Sequence, residues 1–408
     1  MARIIVIGGS LGGLLVATML QRAGHEVLAL EKAKTSLDGR GAGIVTHTPL
    51  LTALRRCGLT VDASLGVSVE ERVVLERDGT VLASAKMPQV LTSWSRLYAM
   101  LSSAFEQQNY IQGAAVSHVT QNEKAATVNC EDGRTFVADL VIASDGIRST
   151  TRKQFLTNSQ IEYAGYIAWR GVCDEQVLSQ KTINSMFGKF GFGLPQGEQI
   201  IGYPVAGADN STASGQRRYN FVWYRPADQC HLRKLMTDSD ANYYAMGIPP
   251  HKVAWQHLAA ARRASQQLLA PQFAEILEKT AHPFLQPIYD CASSQMVFGR
   301  VALMGDAAFV ARPHVGMGVT KAAQDAMALV DCIALHGAVP QALQAFEELR
   351  LEPGLTVVER ARKLGAYMQA QSDKIRTSVL DRDPQNVMLE TAIDLSTSSS
   401  HHSSVFLH

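Results

Sequence analysis

The 408-residue chain is poor in the features that mark several large protein classes. Its six cysteines (Cys57, Cys130, Cys173, Cys230, Cys291 and Cys332) are scattered, with no C-x-x-C pair among them. That spacing suits neither a disulfide framework nor a zinc site, and predicts reduced, mostly buried thiols in a cytoplasmic protein. Neither sign of charge is in excess: 38 Lys and Arg face 37 Asp and Glu, a formal net charge of +1. A sequence-independent nucleic-acid binder needs a basic surplus to neutralise phosphates, so that class is disfavoured. Charged residues are 18% of the chain and hydrophobic residues 46%, the reverse of a disordered composition. No stretch reaches the ~18 uninterrupted apolar residues of a membrane helix, so no membrane partner is expected. The apolar start at residues 4–7 has no basic lead-in and no small-residue cleavage site, and reads as a strand rather than a signal peptide. What these absences leave is a globular protein with a large core and, from length alone, about two to three domains.

The first thirty residues carry a clear pattern. Residues 4–7 are a short β-branched run, the signature of a buried strand. A glycine cluster follows, then apolar residues at helical spacing over 11–23, Gly24 as a stop, and a second strand over 27–30 closed by Glu31. Strand, helix, strand is a βαβ unit with a parallel sheet. Further on, Asp78-Gly79 and Asp132-Gly133 predict hairpins. Residues 140–143 read as another buried strand. Aromatics gather between about 161 and 285, where strand-like pieces are split by Gly and Pro, which predicts a separate sheet layer. The apolar strand pattern returns at 301–304, with helices after it at about 318–334 and 341–371. The stretch 396–404 is rich in Ser, Thr and His and reads as a solvated tail.

Three motifs carry chemistry. In Gly8-Gly9-Ser10-Leu11-Gly12-Gly13 the first glycine makes a tight turn and the last lets helix and strand pack. Ser10 stands where a second glycine would let backbone approach a pyrophosphate, and its hydroxyl can serve the same oxygens. The helix N-terminus adds N–H donors and a positive dipole end. Glu31, at the end of the next strand, suits a ribose hydroxyl. The second motif is the strand ending in Asp145-Gly146, with Arg148 and Arg152 after it. The third is Gly305-Asp306, followed by Arg312-Pro313-His314 and by Gly316 and Gly318 before a helix. Taken singly, each motif also fits an ordinary turn of some other α/β fold.

In this order and over about residues 1–370, the three motifs resemble the group A flavoprotein monooxygenases, the family of para-hydroxybenzoate hydroxylase. The block Tyr163-Ala-Gly-Tyr166-Ile-Ala-Trp169-Arg170 and the Pro313-His314 pair are most similar to the members that hydroxylate hydroxypyridines. The resemblance implies an α/β fold in which a Rossmann-like FAD-binding domain carries an inserted β-sheet substrate domain and C-terminal helices. It implies a discontinuous FAD-binding domain at 1–70, 95–160 and 285–340. A substrate sheet would span 71–94 and 161–284, a helical segment 341–371, and a loose tail 372–408.

It also implies roles. Gly8, Ser10, Leu11, Gly12 and Gly13 would meet the FAD pyrophosphate, and Glu31 the adenosine ribose. Arg40 and Arg96 would face FAD, Asp145 and Arg152 would serve FAD and the pyridine nucleotide, and Asp306 would hold the ribityl chain. Gly316, Gly318 and Val319 would line the flavin ring, with Pro313 beside it. NADH or NADPH would be co-substrate with O2, acting through a flavin hydroperoxide. There is no second glycine-rich fingerprint for that nucleotide, as in the family. A small aromatic molecule would be the partner, and the family suggests a homodimer.

His314 and His47 are the candidate proton acceptors, because an imidazole near its ordinary pKa of ~6.5 works at neutral pH. The alternative for His314 is a loop histidine bonded to backbone, and for His47 a helix-entry histidine that caps or is solvated. On a strand, Tyr166, Ala168 and Arg170 share one face, so Arg170 is placed to hold an anionic oxygen. Tyr166, Tyr203 and Tyr224 are candidate pocket aromatics. The expected reaction is hydroxylation of a dihydroxypyridine-like N-heteroaromatic ring. The alternatives are a phenolic acid, a urate-like or a larger aromatic substrate, and a non-catalytic FAD-binding redox protein. A flavin halogenase is disfavoured because its Trp-x-Trp-x-Ile-Pro signature is missing, and a plain NAD-dependent dehydrogenase by the distant Gly305-Asp306 motif.

Overall fold

A computed structural model describes residues 1–37, 43–369 and 383–394. The β-branched run at the start is the strand Arg3–Ile7, buried along its length after Arg3. It pairs in parallel with Glu26–Glu31 on one side and with Leu140–Ala143 on the other. Leu140–Ala143 pairs in turn with Val301–Leu303, so three apolar runs from distant parts of the chain lie side by side. Val297–Phe298 and Tyr110–Gln112 complete six strands. The helices Leu11–Arg22 and Gly318–His336 cover one face, and their apolar sides share one core with Leu50, Leu97 and Leu343. Strands buried on both faces are expected to read as unbroken apolar runs, which is why these three were legible.

The second layer is a nine-stranded sheet that includes the long strand Glu162–Asp174, paired antiparallel to Arg218–Pro226 and to Phe284–Ala292. Its two faces differ. Ile167, Trp169, Phe221 and Trp223 pack under the helices Trp255–Leu268 and Pro271–Lys279, whereas Tyr166, Ala168, Tyr203 and Tyr224 face the other way. Trp169 is therefore core. Both Asp-Gly hairpins form, joining Val67–Leu75 to Val81–Ser93 and Ala126–Cys130 to Thr135–Ala138.

Two boundaries differ from expectation. The large sheet also takes Gly43–Val45 and Val67–Leu75, so it begins well before residue 71. It also takes Phe284–Ala292, which was expected in the FAD-binding unit at 285–340. Strand partners lie far off in sequence, and local pattern does not name them. The second correction concerns the loose tail at 372–408. Within it, Pro384–Glu390 is a helix packed on the large sheet, with Val387, Met388 and Ala392 buried. Apolar content there is confined to a few positions, too few to show as a periodic pattern. The remainder of that tail, the Ser/Thr/His stretch included, lies outside the described residues.

Candidate active site

The glycine-rich turn is shaped by contacts that admit no side chain. Gly8 has φ +101°, and a Cβ there would sit 2.4 Å from the Ser144 carbonyl oxygen. A Cβ on Gly13 would sit 1.8 Å from the Gly8 oxygen, and one on Gly12 would sit 2.8 Å from Ser144 Oγ. The turn is thus pressed against the end of Leu140–Ala143, where Asp145-Gly146 begins. Ser10 caps the helix Leu11–Arg22 without using its hydroxyl as a cap acceptor. Leu11 itself is buried in the apolar core, so only its backbone can serve a ligand. Glu31 accepts from the N–H groups of Gly9 (2.9 Å) and Ala33 (2.8 Å). Gly8, Ser10, Glu31, Asp145, Arg148 and Thr150 all border one cavity of about 450 Å³.

Asp145 Oδ2 accepts from Thr150 N–H at 2.9 Å, while its Oδ1 is buried without a partner. Arg152 does not face that cavity. Its guanidinium is buried and donates to the carbonyls of Ile147, Asp306 and Ala307, tying the second motif to the third. Arg96 turns to Ser64 Oγ at 3.0 Å and leaves its Nε buried without a partner. Arg40 lies outside the described residues.

A second cavity, of about 330 Å³, opens between the third motif and the large sheet. Asp306, Pro313, Gly316, Gly318 and Val319 form one wall, and Arg170, Tyr203 and Tyr224 the other. Gly316 takes a left-handed turn (φ +70°) that redirects the chain into the helix Gly318–His336. Asp306 is half exposed to the cavity yet enclosed on its other sides. That enclosure pushes its carboxyl up, and the Lys321 and Arg152 cations pull it back. Lys321 was not foreseen. Its Nζ is buried 3.9 Å from Asp306 Oδ1 with no hydrogen-bond partner, and burial drives its ammonium down. Trp94 was also missed; it borders both cavities. Its only signal was its place two residues before Arg96.

Three expected site residues stand back from this cavity. His314 is buried one aromatic layer behind it, its ring 5.6 Å from that of Tyr224 and its Nε2 3.5 Å from the Tyr166 hydroxyl. Tyr166 belongs to that same layer and does not line the cavity. His47 faces a separate groove and has both ring nitrogens engaged, Nδ1 with Thr320 Oγ1 at 3.0 Å and Nε2 with the Ala392 carbonyl at 3.4 Å. A carbonyl only accepts, so Nε2 carries the proton and Nδ1 accepts from Thr320. Burial lowers the His47 pKa, which fits this neutral ring.

Comparison with known proteins gives the family. A family model described as an FAD binding domain matches residues 1–187, and one described as FAD binding domain-like matches 163–290. The 2,6-dihydroxypyridine 3-monooxygenase of Paenarthrobacter nicotinovorans is 30% identical over 372 residues, 90% of this chain and 91% of that protein. This chain is a flavoprotein monooxygenase.

The aurachin C monooxygenase/isomerase of Stigmatella aurantiaca is 28% identical over 90% of this monooxygenase and 89% of its own length. Among solved structures, 2,6-dihydroxypyridine-3-hydroxylase from Arthrobacter nicotinovorans superposes with a TM-score of 0.85 at 29% identity, covering 90% of this chain and 93% of that one. The expected fold and the FAD, NAD(P)H and O2 chemistry hold. The residues present fit FAD on their own evidence. The backbone cradle at Gly8, Gly12 and Gly13 has no room for a Cβ, and Asp145, whose Oδ1 has no partner, borders the first cavity. Among the described residues no group of three or more His, Cys, Asp or Glu could hold a metal ion, and no helix is long and apolar enough to cross a membrane.

Proposed function

We propose that the substrate is a single hydroxylated N-heteroaromatic ring of the dihydroxypyridine kind, bound as an anion, with NADH or NADPH as electron donor. The observation that carries this reading is Arg170. Among the described residues lining the 330 Å³ cavity it is the one cation, and its Nε is buried without a partner. Gln286 Oε1 accepts from its Nη1 at 2.7 Å and fixes its aim. An anionic oxygen of the ring would accept a charge-assisted hydrogen bond from the Arg170 guanidinium. A cation within ~4–6 Å also favours ionisation of an acidic hydroxyl by about 1–3 pH units. The ring can therefore take its electron-rich form without a base touching it. This suits a site whose histidines are both set back.

Tyr203 is pushed up to about 12 by burial and Tyr224 further still, so both remain hydroxyl donors at neutral pH. The cavity lies near the lower end of the ~300–1,000 Å³ usual for ligand pockets. It must receive the flavin ring as well, which favours one ring over a polycyclic substrate. Bound FAD, reduced by NAD(P)H, supplies the activated oxygen. The chain orients the ring against it with Arg170 and Pro313, and excludes water with Tyr203, Tyr224 and the Gly316–Val319 turn. Similarity to the dihydroxypyridine monooxygenase supports the same ring class.

The test is oxidation of NADH and NADPH by the FAD-loaded protein with 2,6-dihydroxypyridine, 6-hydroxynicotinate, 4-hydroxybenzoate, salicylate or urate, with product masses. Pyridine-dependent oxidation and a gain of one oxygen atom are expected. A yellow protein that no pyridine stimulates sinks the reading. A cytoplasmic setting fits the six unpaired cysteines, five of them buried. A homodimer rests on the family alone and is checked by light scattering.

A further inference from the structure

The strand Val67–Leu75 carries a fully buried arginine, Arg72, with no carboxylate paired to it among the described residues. All five of its N–H donors are used instead. Nε and Nη2 donate to Gln89 Oε1 at 3.1 and 2.7 Å. The others donate to the carbonyls of Met388, Thr391 and Ala392 at 2.5–2.8 Å. Those carbonyls belong to the last turn of the helix Pro384–Glu390 and the residues after it, where unsatisfied C=O groups and the negative dipole end welcome a cation. Phe190 stacks below the guanidinium, 4.8 Å from its centre. Burial pulls it down to about 10, so it is charged at neutral pH.

The segment it holds is part of the active-site enclosure. Ala392 lines the 330 Å³ cavity. It adopts a left-handed conformation (φ +51°) that an alanine rarely takes without outside support. Its N–H donates to the His314 carbonyl at 3.1 Å, and a Cβ on Gly316 would lie 2.7 Å from its own Cβ. Its carbonyl is shared between Arg72 and His47. Asp394 pins the far end by accepting from Thr48 N–H at 2.9 Å. One cation, itself outside the lining of the cavity, thus holds the segment that brings Ala392 to it.

We propose that Arg72 is a positioning residue: by clamping the carbonyls of residues 388–392 it seats Ala392 as the inner wall of the flavin–substrate cavity and so keeps water from the oxygen-transfer step. The consequence is a partition. With the wall in place, NAD(P)H, H+, O2 and the ring give NAD(P)+, water and the hydroxylated ring. With the wall displaced, NAD(P)H, H+ and O2 give NAD(P)+ and hydrogen peroxide, and the ring is left unchanged. The proposal rests on the hydroxylase reading for this partition, but not for the wall itself.

The test compares wild type with Arg72→Lys, Arg72→Met and Asp394→Ala in the full-length, FAD-loaded protein. Three quantities are read: hydrogen–deuterium exchange at residues 387–392, quenching of bound-flavin fluorescence by iodide, and peroxide formed per NAD(P)H oxidised. Lysine cannot span three carbonyls and Gln89, so Arg72→Lys should speed exchange roughly tenfold, raise iodide quenching and raise the peroxide share several-fold. Arg72→Met should do more, and Asp394→Ala, which loosens only the outer end, should do less and covers the case in which Arg72→Met does not fold. A merely structural arginine would lower both products together and leave the peroxide ratio unchanged. Faster exchange with an unchanged ratio and unchanged quenching overturns the wall. Unchanged exchange in Arg72→Lys overturns the clamp. If no ring in the panel is hydroxylated, the substrate reading fails, while exchange and quenching still decide the wall.

Discussion

The two cavities of this monooxygenase are built by opposite means. The first cavity, the one proposed for the nucleotide, has a floor of backbone: glycines at 8, 12 and 13 let one strand end, one helix start and one turn meet at distances that exclude a Cβ. The ring cavity is made of side chains from several distant places, with Arg170 on one strand of the large sheet, Tyr203 and Tyr224 on others, and Ala392 from the C-terminal segment. A backbone floor is intolerant of added atoms. A side-chain wall is sensitive to the loss of a charge or a ring. The difference teaches where to look for each kind of failure.

The largest effect should come from adding one carbon to the backbone site. Gly13→Ala puts a Cβ against the Gly8 carbonyl, and overpacking of that kind costs at least about 1–3 kcal/mol, so FAD affinity should fall roughly a hundredfold. Flavin absorbance per protein after gel filtration reads this directly; full flavin content would mean that the two regions do not differ as described. Next is Arg170→Met. Removing a buried charge from its ligand costs about 2 kcal/mol or more, so KM for an anionic ring should rise roughly thirtyfold with flavin content unchanged. A rise in kcat-independent FAD loss instead would blur the line between the cavities.

His314→Asn should cost less, about threefold in turnover, because His314 supports Tyr166 and Tyr224 from behind and does not touch the ring. A thousandfold loss would return it to the role of base. The smallest effect is a pH dependence of stability at His47. The unfolded ring takes a proton near ~6.5, whereas burial makes the folded ring take it only at lower pH. Stability that is full above that value is therefore lost as the pH falls from it toward the lowered one. Melting temperatures of wild type and His47→Gln between pH 8 and 5 should diverge on the acid side only; parallel curves would show that His47 is not held neutral.

The same contrast explains what could be read in the sequence. The nucleotide cavity was legible because its determinants are contiguous: glycine spacing, a β-branched run and a carboxylate at a strand end are local facts. Arg170 was legible as far as its face, since strand alternation puts it with Tyr166 and Ala168. That Arg170 reaches the cavity and Tyr166 does not depends on what packs behind each, which no local pattern holds. Leu11 stood inside a glycine motif, yet its side chain answers to the helix's apolar face. Arg72 gave no signal at all. It is one polar residue on a strand, and apart from Gln89 its partners are carbonyls more than 300 residues away. The tail was misread for the same reason: three buried side chains suffice to dock it when an arginine waits for its carbonyls.

The parallel sheet has a consequence for how the protein comes into being. Ile4 finds its partner at Leu140, and Val141 finds its own at Val301. Contacts of such separation close slowly, because each demands that a long loop be ordered first. A ribosome adding ~5–20 residues per second exposes the first strand many seconds before its outermost parallel neighbour exists. The nascent chain thus spends that interval with an apolar strand edge unpaired. The lining of the first cavity is all present once residue 150 has emerged, and that of the second only with residue 392.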